Sequence, residues 1–171
     1  AFFVAYRIPN LLRELFAEGS MSAAFIPVFT EYHTLKTKRD AWELASATFT
    51  TLLTIVTAVT LLGILAAPGI VWLLAPGFRG SPDKLALTTL LTQMMFPYLI
   101  FISLAALAMG ILNSLRAFAA PAFSPVFFNI FTIACMMFLS PWLSEPIIGV
   151  AIGIVVGGVA QFAMQLPGLK S

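Results

Sequence analysis

Charge is scarce in this chain: Asp, Glu, Lys and Arg make up 9% of its 171 residues, against roughly a quarter in soluble domains. Cysteine is scarcer still. Cys135, in "FTIACMMFL", stands alone, so neither a disulfide framework nor a thiolate metal cluster can form within the chain. Period-2 alternation of apolar and polar residues is missing from the long apolar stretches, which excludes a transmembrane barrel built of roughly 10-residue strands. A formal net charge of +2 invites a nucleic-acid reading, yet the basic residues are dispersed and form no stripe with interleaved aromatics, so no nucleic-acid partner is expected. There is no G-x-x-x-x-G-K-[ST] loop, no H-E-x-x-H and no nucleophile elbow. No catalytic residue, metal or cofactor is therefore assigned. Any work this chain does is movement, and its energy would come from an ion gradient or the membrane potential, at about 2.3 kcal/mol per charge per 100 mV.

What is present is apolar length. Hydrophobic residues reach 60% and mean hydropathy is +1.00. Beyond Glu43 the uncharged runs 44–78, 85–115, 117–144 and 146–169 each exceed the ~20 residues that cross a hydrocarbon core of about 30 Å. Lipid offers no partner to backbone groups, so these runs must be helices. The expected fold is an all-α, polytopic transmembrane bundle of about five helices, over 1–35 (kinked), 40–75, 83–115, 121–143 and 146–167. Pro9 and "EGS" at 18–20 punctuate the first, and Pro97 should kink the third. The chain lacks an initial methionine and a basic leader; it reads as a piece of a longer protein, beginning inside a helix.

Lys36, Lys38, Arg39, Arg116 and Lys170 collect on one side of this topology, and Arg79 and Lys84 on the other. The excess of Lys and Arg in short loops marks the cytoplasmic face, which places loop 33–43 and the C-terminus inside.

The first helix is the exception to the apolar rule. Near a helix centre Leu, Ile, Phe and Val contribute about −0.3 to −0.6 kcal/mol each, and a charge costs about +2.5 to +3.5. Residues 1–18 hold eight of the former, about −5 kcal/mol at best, against about +10 to +14 for Arg7, Arg13, Glu14 and Glu18. These charges spread over about three turns, so they cannot all snorkel to one interface. At 100° per residue Arg7, Asn10, Glu14 and Glu18 share a face, with Arg13 on its flank. Two roles fit. The charges can be glue to helices beyond this segment, or they can line a hydrated cavity in which a planar guanidinium meets phosphate or carboxylate.

Elsewhere the polar features read as packing. Gly149, Gly153 and Gly157 recur at i+4, a spacing that lets helices approach closely, and Gln161 and Gln165 continue their face. Thr50, Thr54 and Thr57 can bond back to i−4 carbonyls. Asn113 and Asn129 are expected to satisfy carbonyls freed by prolines. His33 is expected at the membrane surface beside Tyr32 and Lys36.

"AFFVAYRIPNLLRELFAEGSMSAAFIPVFTEY", followed in order by "APGF", "FPYLIFISLAALAMGILNS", "FAAPAFSPVFFNI" and "GGVAQFAMQLPGLK", resembles the MurJ (MviN) family of lipid II flippases, within the multidrug/oligosaccharidyl-lipid/polysaccharide exporter superfamily. The resemblance implies a fourteen-helix, two-lobed transporter of the bacterial cytoplasmic (inner) membrane. This chain would supply helices two to six of the N-terminal lobe. It implies alternating-access movement of a polyprenyl-pyrophosphate-linked peptidoglycan precursor to the outer leaflet, and so a role in cell wall biogenesis and cell shape. The partners it implies are a lipid-linked oligosaccharide pyrophosphate, membrane lipids and the remaining helices of the full-length chain. It also places Arg13 and Glu18 in the cavity; the family's aspartate just before "AFFVA" lies outside this sequence. Competing readings are an ion-coupled drug or polysaccharide-lipid exporter of the same superfamily, in which a drug site would favour acidic over basic residues, and a non-transporting membrane scaffold.

Overall fold

The computed structural model describes residues 1–15 and 20–169. Eight helices are found among them: α1 Phe2–Arg13, α2 Ser20–Leu35, α3 Lys38–Leu74, α4 Pro82–Met95, α5 Tyr98–Ser114, α6 Ala119–Leu139, α7 Ile147–Ala163 and the single turn α8 Leu166–Leu169. No strand occurs among the described residues. Four stretches are long and apolar enough to cross a membrane: Lys38–Leu74, Pro82–Ser114, Ala119–Trp142 and Ile147–Leu169.

Prolines set several of the boundaries. Without an N–H, Pro97 leaves the Gln93 carbonyl unserved. The chain turns there, with Leu99 N donating to Phe96 O at 3.0 Å, so the third apolar run is two helices, α4 and α5. The first segment is likewise divided: α1 ends at Arg13, Glu14 and Leu15 continue as a wider turn, and α2 begins at Ser20. α3 opens with a capping box, in which Thr37 Oγ1 accepts from Asp40 N at 3.2 Å and Asp40 Oδ2 accepts from Thr37 N at 3.2 Å. The last run also breaks, at Met164 and Gln165, before α8.

The freed carbonyls find partners the sequence reading did not name. Pro68 cannot serve Ile64 O, and Gln93 Nε2 reaches it from α4 at 3.1 Å. Pro125 cannot serve Pro121 O, and Ser124 Oγ donates to it at 3.2 Å. Gln93 and Ser124 thus do what was expected of Asn113 and Asn129.

α5 is the axis of the bundle. One core joins Phe29 of α2, Ala45, Leu52 and Val56 of α3, and Leu99 and Ile111 of α5. A second joins Ala5 of α1, Leu91 and Met95 of α4, Ile102 of α5 and Ala151 of α7. α6 turns most of its apolar surface outward and packs along α7. There Gly149, Gly153 and Gly157 face Ser140, Thr132 and Phe128. Thr132 Oγ1 donates within α6 to Phe128 O at 2.8 Å and across the interface to Gly153 O at 3.1 Å.

Candidate functional site

α1 crosses the bundle with its apolar residues Ala5 and Ile8 buried, which fixes where its polar residues fall. Arg13 Nε donates to Asn10 Oδ1 at 3.0 Å, and Asn10 Nδ2 donates to Glu14 Oε1 at 3.3 Å. Asn10 therefore couples the cation to the anion, and the amide holds the guanidinium plane in place. Arg13 is half-buried and Glu14 exposed.

Arg13 lines a cavity of about 170 Å³. Its walls are Ile102, Ala105, Ala106 and Met109 of α5, Pro125 of α6, and Gln161 and Gln165 at the end of α7. Small residues on α5 leave the space; the polar groups come from two separate stretches of chain, α1 and the end of α7. Gln165 is 1% exposed, and its Nε2 donates to Ser124 Oγ at 3.1 Å. With Ser124 donating in turn to Pro121 O, a buried hydrogen-bond relay ties the α7 terminus to the proline break in α6. Gln165 Oε1 has no hydrogen-bond partner among the described residues.

Asn10, Arg13 and Glu14 are thus brought together. Arg7 is exposed and makes no hydrogen bond or ion pair among the described residues, so it stands apart from this cluster. Glu18 lies outside the described residues. No group of His, Cys, Asp and Glu able to hold a metal ion occurs among the described residues. Gln161 and Gln165, read from sequence as a continuation of the glycine packing face, stand in the wall of the Arg13 cavity instead. For Gln165 the signal that could have separated it is its position: α7 ends at Ala163, so the helical register that defines the glycine face no longer governs it.

A buried amide oxygen without a donor costs about 1–3 kcal/mol. Gln165→Leu removes that orphan while Ser124 keeps its bond to Pro121. The variant full-length protein is expected to unfold within about 1 kcal/mol of wild type, or later, in thermal melts. A loss well beyond that would make the Gln165 amide a structural necessity rather than a cavity polar group.

A family model described as lipid II flippase MurJ matches residues 1–171. The chain is similar to the lipid II flippase MurJ of Burkholderia cenocepacia, 42% identical over 170 residues, covering 99% of this chain and 33% of that protein. It is similar to the probable lipid II flippase MurJ of Vibrio cholerae, 45% identical over 173 residues, covering 97% of this chain and 33% of that one. Among solved structures, it resembles a lipid II flippase MurJ in an inward closed conformation, with a TM-score of 0.74 and 27% identity, covering 98% of this chain and 34% of that one. The chain spans about one third of the length of these relatives.

Proposed function

Because the chain belongs to the lipid II flippase MurJ family, we propose that the full-length protein carries lipid II from the cytoplasmic to the outer leaflet by alternating access, and that Arg13 engages its pyrophosphate. One observation carries the reading at the level of the site. A half-buried arginine, oriented by Asn10, faces a small cavity walled by α5, α6 and α7 inside a lipid-embedded bundle. Charges inside a membrane bundle are costly and mark substrate or ion paths. A guanidinium presents planar, bidentate donors to phosphate oxygens and is more weakly hydrated than an ammonium.

In this reading Asn10 and Glu14 position Arg13, and Glu18 balances charge in the same path. Gln161 and Gln165 supply amide groups to the cavity wall. The protein sits in the bacterial cytoplasmic membrane with loop 33–43 and the C-terminus inside, following the Lys and Arg distribution. Transport draws on an ion gradient or the membrane potential.

The test is functional replacement. In cells depleted of their own lipid II flippase, the full-length protein should restore lipid II to the outer leaflet, measured by its accessibility to an added reagent that cannot cross the membrane. Lipid II that stays inaccessible, with the protein present in the membrane at normal abundance, would contradict the proposal.

A further inference from the structure

Three membrane spans end together at one corner of the bundle. Lys38 opens the Lys38–Leu74 span, Leu115 follows the last residue of Pro82–Ser114, and Gly168 is next to last in Ile147–Leu169. All three line one cavity of about 230 Å³, together with His33 of α2, Trp42 of α3 and Ala117, two residues before α6. The cavity therefore lies at the membrane surface, at the depth of phospholipid headgroups. It shares no lining residue with the Arg13 cavity. Its volume falls below the roughly 300–1,000 Å³ of drug-sized sites, so it suits one charged group and not a whole ligand.

The polar side chains of this cavity are nearly all donors. Lys38 carries an ammonium and Trp42 an indole N–H, neither able to accept, and the His33 imidazole brings at least one further N–H. None of the three makes a side-chain hydrogen bond or ion pair among the described residues. Donors without acceptors call for a ligand rich in acceptor oxygens. The imidazole is also held in place, stacked on the buried Phe29 ring with centroids 6.2 Å apart and planes at 7°.

No carboxylate lines the cavity. At 100° per residue Asp40 and Glu43 fall about 200° and 140° from Lys38 around α3, and Glu31 about 200° from His33 around α2. Asp40 is held in the capping box, and Glu43 pairs with Arg39 at 2.9 Å. Trp42, one turn beyond Lys38, shares its face. Lys36 lies over the Tyr32 ring, 4.5 Å from its centroid, and is not in the cavity wall. A second cation stands at the rim. Arg116, between Leu115 and Ala117, has φ 60°, a conformation that favours glycine. It is exposed and has no carboxylate partner among the described residues.

We propose that this cavity binds a phosphate group at the membrane surface, held by His33, Lys38 and Trp42 with Arg116 at the rim. The face is cytoplasmic in the orientation proposed above. The group belongs either to a phospholipid of that leaflet or to free phosphate in solution, and the same charge-assisted donors serve both. A bound phosphate bridges the start of α3 to the turn between α5 and α6.

Two probes separate the sources. Full-length protein is reconstituted in nanodiscs of phosphatidylcholine with phosphatidylglycerol, and retained lipid is counted by native mass spectrometry. Radiolabelled inorganic phosphate is offered by equilibrium dialysis to the same protein in phosphatidylcholine alone. Differences between wild type and variants report this cavity. Lys38→Gln and Arg116→Gly should each lower binding of the probe that supplies the phosphate about 5-fold, the effect of one surface cation. Arg116→Gly also relieves the backbone and should melt no lower than wild type, so its loss is one of binding. Lys36→Gln removes an equal charge outside the cavity and should stay near wild type. Phosphatidylglycerol retained over phosphatidylcholine, with no uptake of inorganic phosphate, assigns the group to lipid; uptake without that preference assigns it to solution. Wild-type binding of both probes by Lys38→Gln would overturn the proposal. Equal losses for Lys36→Gln and Lys38→Gln would mean diffuse attraction to the basic loop and overturn it equally, as would a wild type that binds neither probe.

Discussion

Gly153→Leu is expected to abolish the folded protein in the membrane. A Cβ at Gly153 would stand 2.9 Å from Thr132 O and 3.1 Å from Cys135 Cβ; at Gly157 it would stand 2.8 Å from Phe128 O and 2.6 Å from Thr132 Oγ1. Carbonyl oxygens of a helix cannot swing aside as a side chain can, so α7 itself must retreat from α6. The retreat breaks the bond from Thr132 Oγ1 to Gly153 O and opens the most extensive helix–helix interface among the described residues. In lipid no hydrophobic force restores it, because acyl chains are as apolar as leucine. Overpacking of this kind costs about 1–3 kcal/mol for a few added methylenes, and a leucine adds more bulk than that. Gly153→Ala should lower the melting temperature measurably, Gly153→Leu should leave little monodisperse protein on gel filtration, and Gly69→Ala, with open space around it, should do neither. A Gly153→Leu protein that melts with the wild type would mean that α6 and α7 are not in this close contact.

The architecture was legible because lipid permits so few choices. Uncharged runs longer than a hydrocarbon core have to be helices, and four such stretches are found. The energetics of charge likewise singled out residues 1–18: no apolar contribution from that segment offsets its four charges, so it had to meet something other than lipid. The partners of the proline breaks were not legible. Gln93 serves Ile64 O from 29 positions away, and only the pairing of α3 with α4 makes that contact. Gln165 was misread for a related reason. Its spacing continues Gly149, Gly153 and Gly157, but a period describes a face only while the helix lasts, and α7 stops at Ala163. Arg13, on the flank of the polar stripe, joins Asn10 and Glu14 through side-chain hydrogen bonds that a helical projection does not show.

Substitution of Arg13 should have the largest effect on transport. Each charge-assisted hydrogen bond to pyrophosphate is worth about 1.5–3 kcal/mol, and a tenfold change corresponds to about 1.4 kcal/mol, so Arg13→Ala should slow flipping about 10- to 100-fold or more. Arg13→Lys keeps the charge but loses the planar fork and the Nε donor to Asn10, and should fall between alanine and wild type. An arginine serving as glue between helices would behave differently, since its loss would show as less protein in the membrane. The decisive measurement is the rate of lipid II appearance at the outer leaflet, normalised to membrane-inserted full-length protein, for wild type, Arg13→Lys and Arg13→Ala. The expected order is wild type, then lysine, then alanine, with the defect surviving normalisation. Wild-type flipping by Arg13→Ala at normal abundance, or a defect that disappears on normalisation, would contradict a pyrophosphate-binding role for Arg13.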